Sequence, residues 1–188
     1  MLKYIVFLGA VVNLLGAFLY IRSTLKGETK PNRVSRLMRA ITPLIGSAAA
    51  FSDGVGWGAI PVFMSWIAPL LVFLASFLNR KSYRKLGKFD YVCGIFSALA
   101  LLFWWITKDP AIAIFLAIIS NFFSGIPTFI KSRKHPETES VSPYASGLFN
   151  ALTSFFAMKT SGFIELAFPI YIVVSNLFLV IVLFRKKK

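Results

Sequence analysis

Residues 4–78 align with residues 112–186 at a constant offset of 108, without a gap. Phe7 then meets Phe115, Leu8 meets Leu116, Asn13 meets Asn121 and Lys26 meets Lys134. Further along, Leu44 meets Leu152, Ala49 meets Ala157, Gly54 meets Gly162, Ala59 meets Ala167, Pro61 meets Pro169, and Leu71-Val72 meets Leu179-Val180. Apolar sequences match by chance more often than polar ones, so the asparagine, lysine, glycine and proline pairs carry the comparison. A self-match of this kind binds both halves to one fold. In an apolar chain it points to a membrane protein whose working site lies between two repeats.

Of the 188 residues, 57% are hydrophobic and 20 are Phe, which leaves too little polar surface to cover a water-soluble domain. Apolar runs recur almost end to end, each near the ~20 residues that cross a bilayer core. Seven spans are predicted, over residues 4–21, 34–51, 59–78, 89–107, 111–130, 143–158 and 163–184. All should be helices, because a backbone in lipid must satisfy its own hydrogen bonds. The runs are apolar on both parities, unlike the alternation of a β-barrel. The second and sixth spans are the shortest-looking, and the second carries Arg36 and Arg39, which are expected to snorkel to the surface.

The net charge of +14 is gathered in short clusters between apolar runs, the pattern of cytoplasmic retention rather than of nucleic-acid binding. Arg22, Lys26, Lys30, Arg33, Arg36, Arg39, Arg80, Lys81, Arg84, Lys85, Lys88, Lys131, Arg133, Lys134 and Arg185 to Lys188 share one side, 18 of the 21 basic residues. Lys3, Lys108 and Lys159 fall on the other. This asymmetry predicts an outside N-terminus and a cytoplasmic C-terminus. The apolar N-terminal run resembles a secretory signal, but it pairs with the internal fifth span and is expected to be retained. Cys93, the single cysteine, excludes an intrachain disulfide.

A three-span unit ends on the side opposite to its start, so two joined directly would be inverted. A fourth helix restores direction and places the loops at 22–33 and 131–134 on the same side. The expected fold is all-α and integral to the membrane, seven transmembrane helices as 3+1+3 parallel repeats. Residues 1–80 form the first repeat, 81–109 the linker helix and 110–188 the second.

Asn13, Asn121, Asn150 and Asn176 each fall near the middle of a predicted span. A buried Asn without partners costs roughly 1–3 kcal/mol, so four at one depth suggest a shared purpose. One reading is helix-to-helix hydrogen bonding, at about 0.6 kcal/mol each in membranes. The other is a polar midplane cavity that binds an uncharged, hydrogen-bonding solute. Thr42, the repeat mate of Asn150, and Trp66, deep in the third span, join the candidate substrate contacts. Pro43, Pro61, Pro127 and Pro169 are candidate hinges, with Pro69 a further kink, since each removes a helix hydrogen bond. The carboxylates Glu28, Asp53, Asp90, Asp109, Glu137, Glu139 and Glu165 all lie in loops or at span ends, and His135 in a basic loop. No catalytic, metal-ligand or phosphate-loop spacing is present, so neither an enzyme, a metal nor a cofactor is expected. Trp57 and Trp104-Trp105 read as interfacial anchors.

The stretch Ser124-Gly125-Ile126-Pro127-Thr128-Phe129, with Lys131, Ser140, Pro143-Tyr144 and Phe149-Asn150, resembles the SWEET sugar transporters and the wider PQ-loop superfamily, in a divergent prokaryotic inner-membrane form. The resemblance implies a hinge at Pro127 and a substrate contact at Asn176. The first half departs from it, with Leu19-Tyr20 at the mates of Pro127-Thr128 and Ala68 at the mate of Asn176. The expected function is a SWEET-like facilitator that moves a small, mostly uncharged polar solute by alternating access. A receptor that does not transport and a structural membrane component are the alternatives. Lipid and a small polar solute are the expected partners, and a homo-oligomer stays open.

Overall fold

The protein is described by a computed structural model over residues 4–78 and 87–185. Lys3, Asn79, Arg80, Lys81, Arg84, Lys85 and Lys186 to Lys188 lie outside the described residues, as do the side chains of Asp90, Cys93 and Trp104. The described residues form helices joined by short turns: α1 (Ile5–Lys26), α2 (Arg33–Ser52), α3 (Ile60–Met64), α4 (Ile67–Leu78), α5 (Lys88–Thr107), α6 (Pro110–Lys134), α7 (Ser142–Ser154) and α8 (Phe163–Arg185). Single 3-10 turns, Gly56–Ala59 and Pro136–Thr138, precede α3 and α7.

Local chemistry sets the ends. Gly27 closes α1 at φ 80°, a left-handed conformation that glycine adopts without steric penalty. The Asn32 side chain accepts the Ser35 N–H at 3.0 Å and starts α2. Asp109 accepts the N–H groups of Ala111 and Ile112, and Pro110 follows at the first helical position.

Four helical segments are long and apolar enough to cross a membrane: Ile5–Lys26, Gly56–Leu78, Pro110–Lys134 and Phe163–Arg185. Their outer faces carry large exposed apolar side chains, among them Phe7, Leu15, Phe18, Phe115, Val174 and Phe178. In water such a surface would be unstable, whereas in lipid it is the expected solvent contact. The other predicted spans also coincide with helices, but α2 is interrupted by polar side chains and α7 has only 13 residues. At 1.5 Å per residue, α7 spans roughly 20 Å, short of the ~30 Å hydrocarbon core.

The third predicted span is broken rather than continuous, with Ser65 and Trp66 between α3 and α4. Pro69 explains the break, because it offers no N–H to the Ser65 carbonyl and its ring crowds that position. Pro43, Pro127 and Pro169 stay inside unbroken helices.

Packing crosses between the halves. α1 runs along α7 and α2 along α6, while α4 packs on α1 and α2, and α8 on α6 and α7. α5 lies against α6. Small residues permit the closest approach: a Cβ on Gly9 would stand 2.5 Å from Thr153 Oγ1, and one on Gly16 would overlap Ser146. Away from the basic end, α2, α3, α6 and α8 share an apolar core of Ala49, Val62, Ile114, Ala117 and Phe168. Tyr144, Leu179 and Leu183 form a smaller cluster nearer the basic end.

Candidate functional site

The crossed packing leaves a cavity of about 70 Å³ between the halves. Four pairs of lining residues are separated by the repeat offset: Asn13 with Asn121, Arg36 with Tyr144, Arg39 with Gly147, and Ala68 with Asn176. Ser65 and Pro69, at the helix break, and Pro43 also line it. Asn13 and Asn176 flank Gly147: a Cβ there would lie 2.9 Å from Asn176 Nδ2 and 3.9 Å from Asn13 Oδ1.

The remaining asparagines join helices. Asn121 Nδ2 donates to Thr42 Oγ1 at 2.6 Å, and its Oδ1 accepts the Tyr171 hydroxyl at 3.2 Å. Asn150 Nδ2 donates to the Pro61 carbonyl at 2.9 Å, and its buried Oδ1 has no partner. Asn150, Thr42 and Trp66 are not among the residues that line the cavity, nor are Pro61, Pro127 and Pro169. Trp66 stacks edge-on against Phe63, with its indole N–H buried and unpartnered. Beside Pro127, which cannot donate to the Phe123 carbonyl, the Ser35 hydroxyl donates to the Ser124 carbonyl and meets Thr128 Oγ1 at 3.1 Å.

Arg36 and Arg39 do not snorkel. They are 4% and 8% exposed, and for Arg36 the reason lies far along the chain. Glu139, 2% exposed in the turn before α7, folds inward and accepts from Arg36 Nη2 at 3.1 Å and from Lys131 Nζ at 2.8 Å. The Tyr20 and Tyr144 hydroxyls donate to the same carboxylate at 2.5 and 3.1 Å. Arg36 also donates to the Tyr144 hydroxyl at 2.9 Å and lies 4.6 Å above the Tyr20 ring. Lys131 spends its other donors on the Lys30 and Thr138 carbonyls. Burial pushes the Glu139 carboxyl up, but the Lys131 ammonium and the Arg36 guanidinium, with hydrogen bonds from Lys131 and Tyr20, hold it below the usual carboxylate value. The cluster thus ties α1, α2, α6 and α7 together across the basic end and forms one wall of the cavity.

Sequence reasoning missed this cluster because Glu139 read as one more loop acid. The available signal was Arg36 itself, a cation inside a span that needs either water or a counter-ion. The His135 side chain is 67% exposed, with Nδ1 3.4 Å from Glu137. At the opposite end Glu165 accepts the Lys159 and Thr160 N–H groups and closes the turn before α8. Among the described residues no group of three His, Cys, Asp or Glu could hold a metal. No family model, no curated protein and no solved structure matches the chain.

Proposed function

We propose that the chain is a membrane carrier resembling the SWEET and PQ-loop proteins, which moves a small polar solute by alternating access. Two three-helix units, α1 to α4 and α6 to α8, would be related by parallel pseudo-symmetry, with α5 as the linker and seven crossings in all. The observation that carries this reading is the cavity, lined by four pairs of residues 108 apart. A site shared by both repeats is what a rocking carrier requires. The break at Ser65 and Trp66 supports it, since irregular backbone at membrane depth is tolerated where it borders a cavity.

In this reading the cluster around Glu139 is the closed gate at the basic, cytoplasmic end. Opening that end separates α1 and α2 from α6 and α7, so the bonds from Tyr20 and Arg36 to Glu139 must break. Pro43 and Pro69, which line the cavity, and the prolines within α6 and α8 are the hinges. The N-terminus lies outside and the C-terminus in the cytoplasm. Uptake into proteoliposomes from a panel of sugars, amino acids, organic acids and vitamins tests the reading, and no accumulation of any of them would overturn it.

A second reading is favoured by Asn121 and Asn150, whose amides bond to neighbouring helices. A receptor or structural component would use them in that way, with no solute path. Ligand binding without uptake would identify the receptor.

A further inference from the structure

We infer that the cavity receives a carboxylate, and that Arg39 is the residue that binds it. As a statement about a transported solute this rests on the carrier reading above; as a statement about binding it stands on the cavity alone.

Arg39 lines the cavity, is 8% exposed, and its buried Nε has no hydrogen-bond partner. Its guanidinium lies 5.8 Å from the Phe129 ring centre and beside the Tyr171 hydroxyl. Nη2 rests against the bare backbone of Gly125, where a Cβ would be 3.3 Å away. The side chain is thus flanked by Phe129, Tyr171 and Gly125. Charge points the same way. The cavity lining holds two arginines and no carboxylate. The one buried acid beside it, Glu139, is already engaged by Arg36, Lys131 and two tyrosines. Arg36, Lys131 and Arg39 therefore stand against a single buried negative charge. An arginine inside a span without a counter-ion is costly, and an anion in the cavity would supply what is missing.

Size and shape select the anion. The space of about 70 Å³ admits a carboxylate and the carbon that bears it. A planar guanidinium matches two carboxylate oxygens better than a tetrahedral phosphate. Asn13 and Asn176 flank Gly147 with amides that can donate to a hydroxyl or oxo group next to the carboxylate. A short hydroxy- or oxo-monocarboxylate fits this arrangement.

The test compares acetate, lactate, acetamide and inorganic phosphate as stabilisers of the full-length chain in detergent, at fixed ionic strength. Acetate and lactate should raise the melting temperature in a saturable way, while acetamide, the neutral isostere of acetate, should not. Arg39→Met should weaken the half-saturating acetate concentration at least ten-fold and Arg39→Lys less so. If Arg39→Met does not fold, the acetate–acetamide difference in the unaltered chain still decides. Equal effects of acetate and acetamide, stabilisation by phosphate alone, or an unchanged acetate response in a folded Arg39→Met would overturn the inference. Saturable acetate binding with no uptake of any solute in the panel would sustain it and refute the carrier. Sugar uptake with no response to acetate would do the reverse.

Discussion

The two halves of this chain share a register but not a chemistry, and the differences gather at the cavity. Where the first half has Arg36 and Arg39, the second has Tyr144 and Gly147; where the second has Asn176, the first has Ala68. Only Asn13 and Asn121 are alike among these pairs. Backbone follows the same rule. The third segment of the first half is broken at Ser65 and Trp66, whereas its counterpart α8 runs unbroken for 23 residues. Duplication can supply a frame, and divergence at the shared surface can then make a site whose two walls differ. The cationic wall belongs to the first half. The acid that restrains it, Glu139, belongs to the second.

That division of labour can be broken most severely at Glu139. Glu139→Gln leaves Arg36 and Lys131 buried without a counter-ion, and removing one partner from a buried ion pair costs about 3–5 kcal/mol. Chemical denaturation in micelles should show a loss of that size, against little change for Glu137→Gln at the exposed His135 contact. Equal losses would mean the halves are not joined by this cluster. Contact between the halves along α1 and α7 is the next place to press. Gly16→Val drives a side chain into Ser146, and overpacking costs about 1–3 kcal/mol. Gly54→Val starts from a Cβ position with no neighbouring atom within 4 Å. It carries only the strain of its positive φ, so it should leave the contact between the halves intact.

Acid sharpens the comparison further. Glu139 is held below the ordinary carboxyl value of 4.5, so the folded chain keeps it ionised further into acid than the unfolded chain does. The resulting stabilisation is complete above that value and is lost as pH falls through the lower, folded one. The unfolding midpoint should be steady between pH 7 and 5 and should drop below pH 4.5. Glu139→Gln should flatten part of that drop, and an unchanged slope in the variant would assign the acid sensitivity elsewhere.

Much of the frame could be read from sequence, and the reasons are local. Apolar runs give helices in lipid whatever their partners, so six of the seven predicted spans coincide with single helices and the third with α3 and α4, and four of these segments are long and apolar enough to cross a membrane. Asn13, Asn121 and Asn176 stood out because an amide in an apolar run demands an explanation, and the three line one cavity. Asn150 demanded the same explanation and found a different one, the Pro61 carbonyl on a neighbouring helix. Pattern cannot separate these outcomes, because both satisfy the amide. Arg36 was misread for a related reason. Snorkelling is a local solution, whereas the actual one needs Glu139, 103 residues away, to fold inward. Nor could sequence say which of several prolines would interrupt its helix. Pro127 and Pro69 obey the same steric rule, yet α6 runs through Pro127 while α3 and α4 part ahead of Pro69.

The smallest stability effect carries the largest functional meaning. A hydrogen-bonding asparagine between membrane helices contributes on average about 0.6 kcal/mol, so Asn121→Leu and Asn176→Leu should fold nearly as well as the parent chain. The central claim is that the cavity shared by the two halves is a solute path. It is tested most directly by uptake per folded molecule in proteoliposomes, for the parent chain and for Asn176→Leu. The account predicts that the parent accumulates a small polar solute and that Asn176→Leu, though folded, does not. Uptake by Asn176→Leu equal to that of the parent would contradict it.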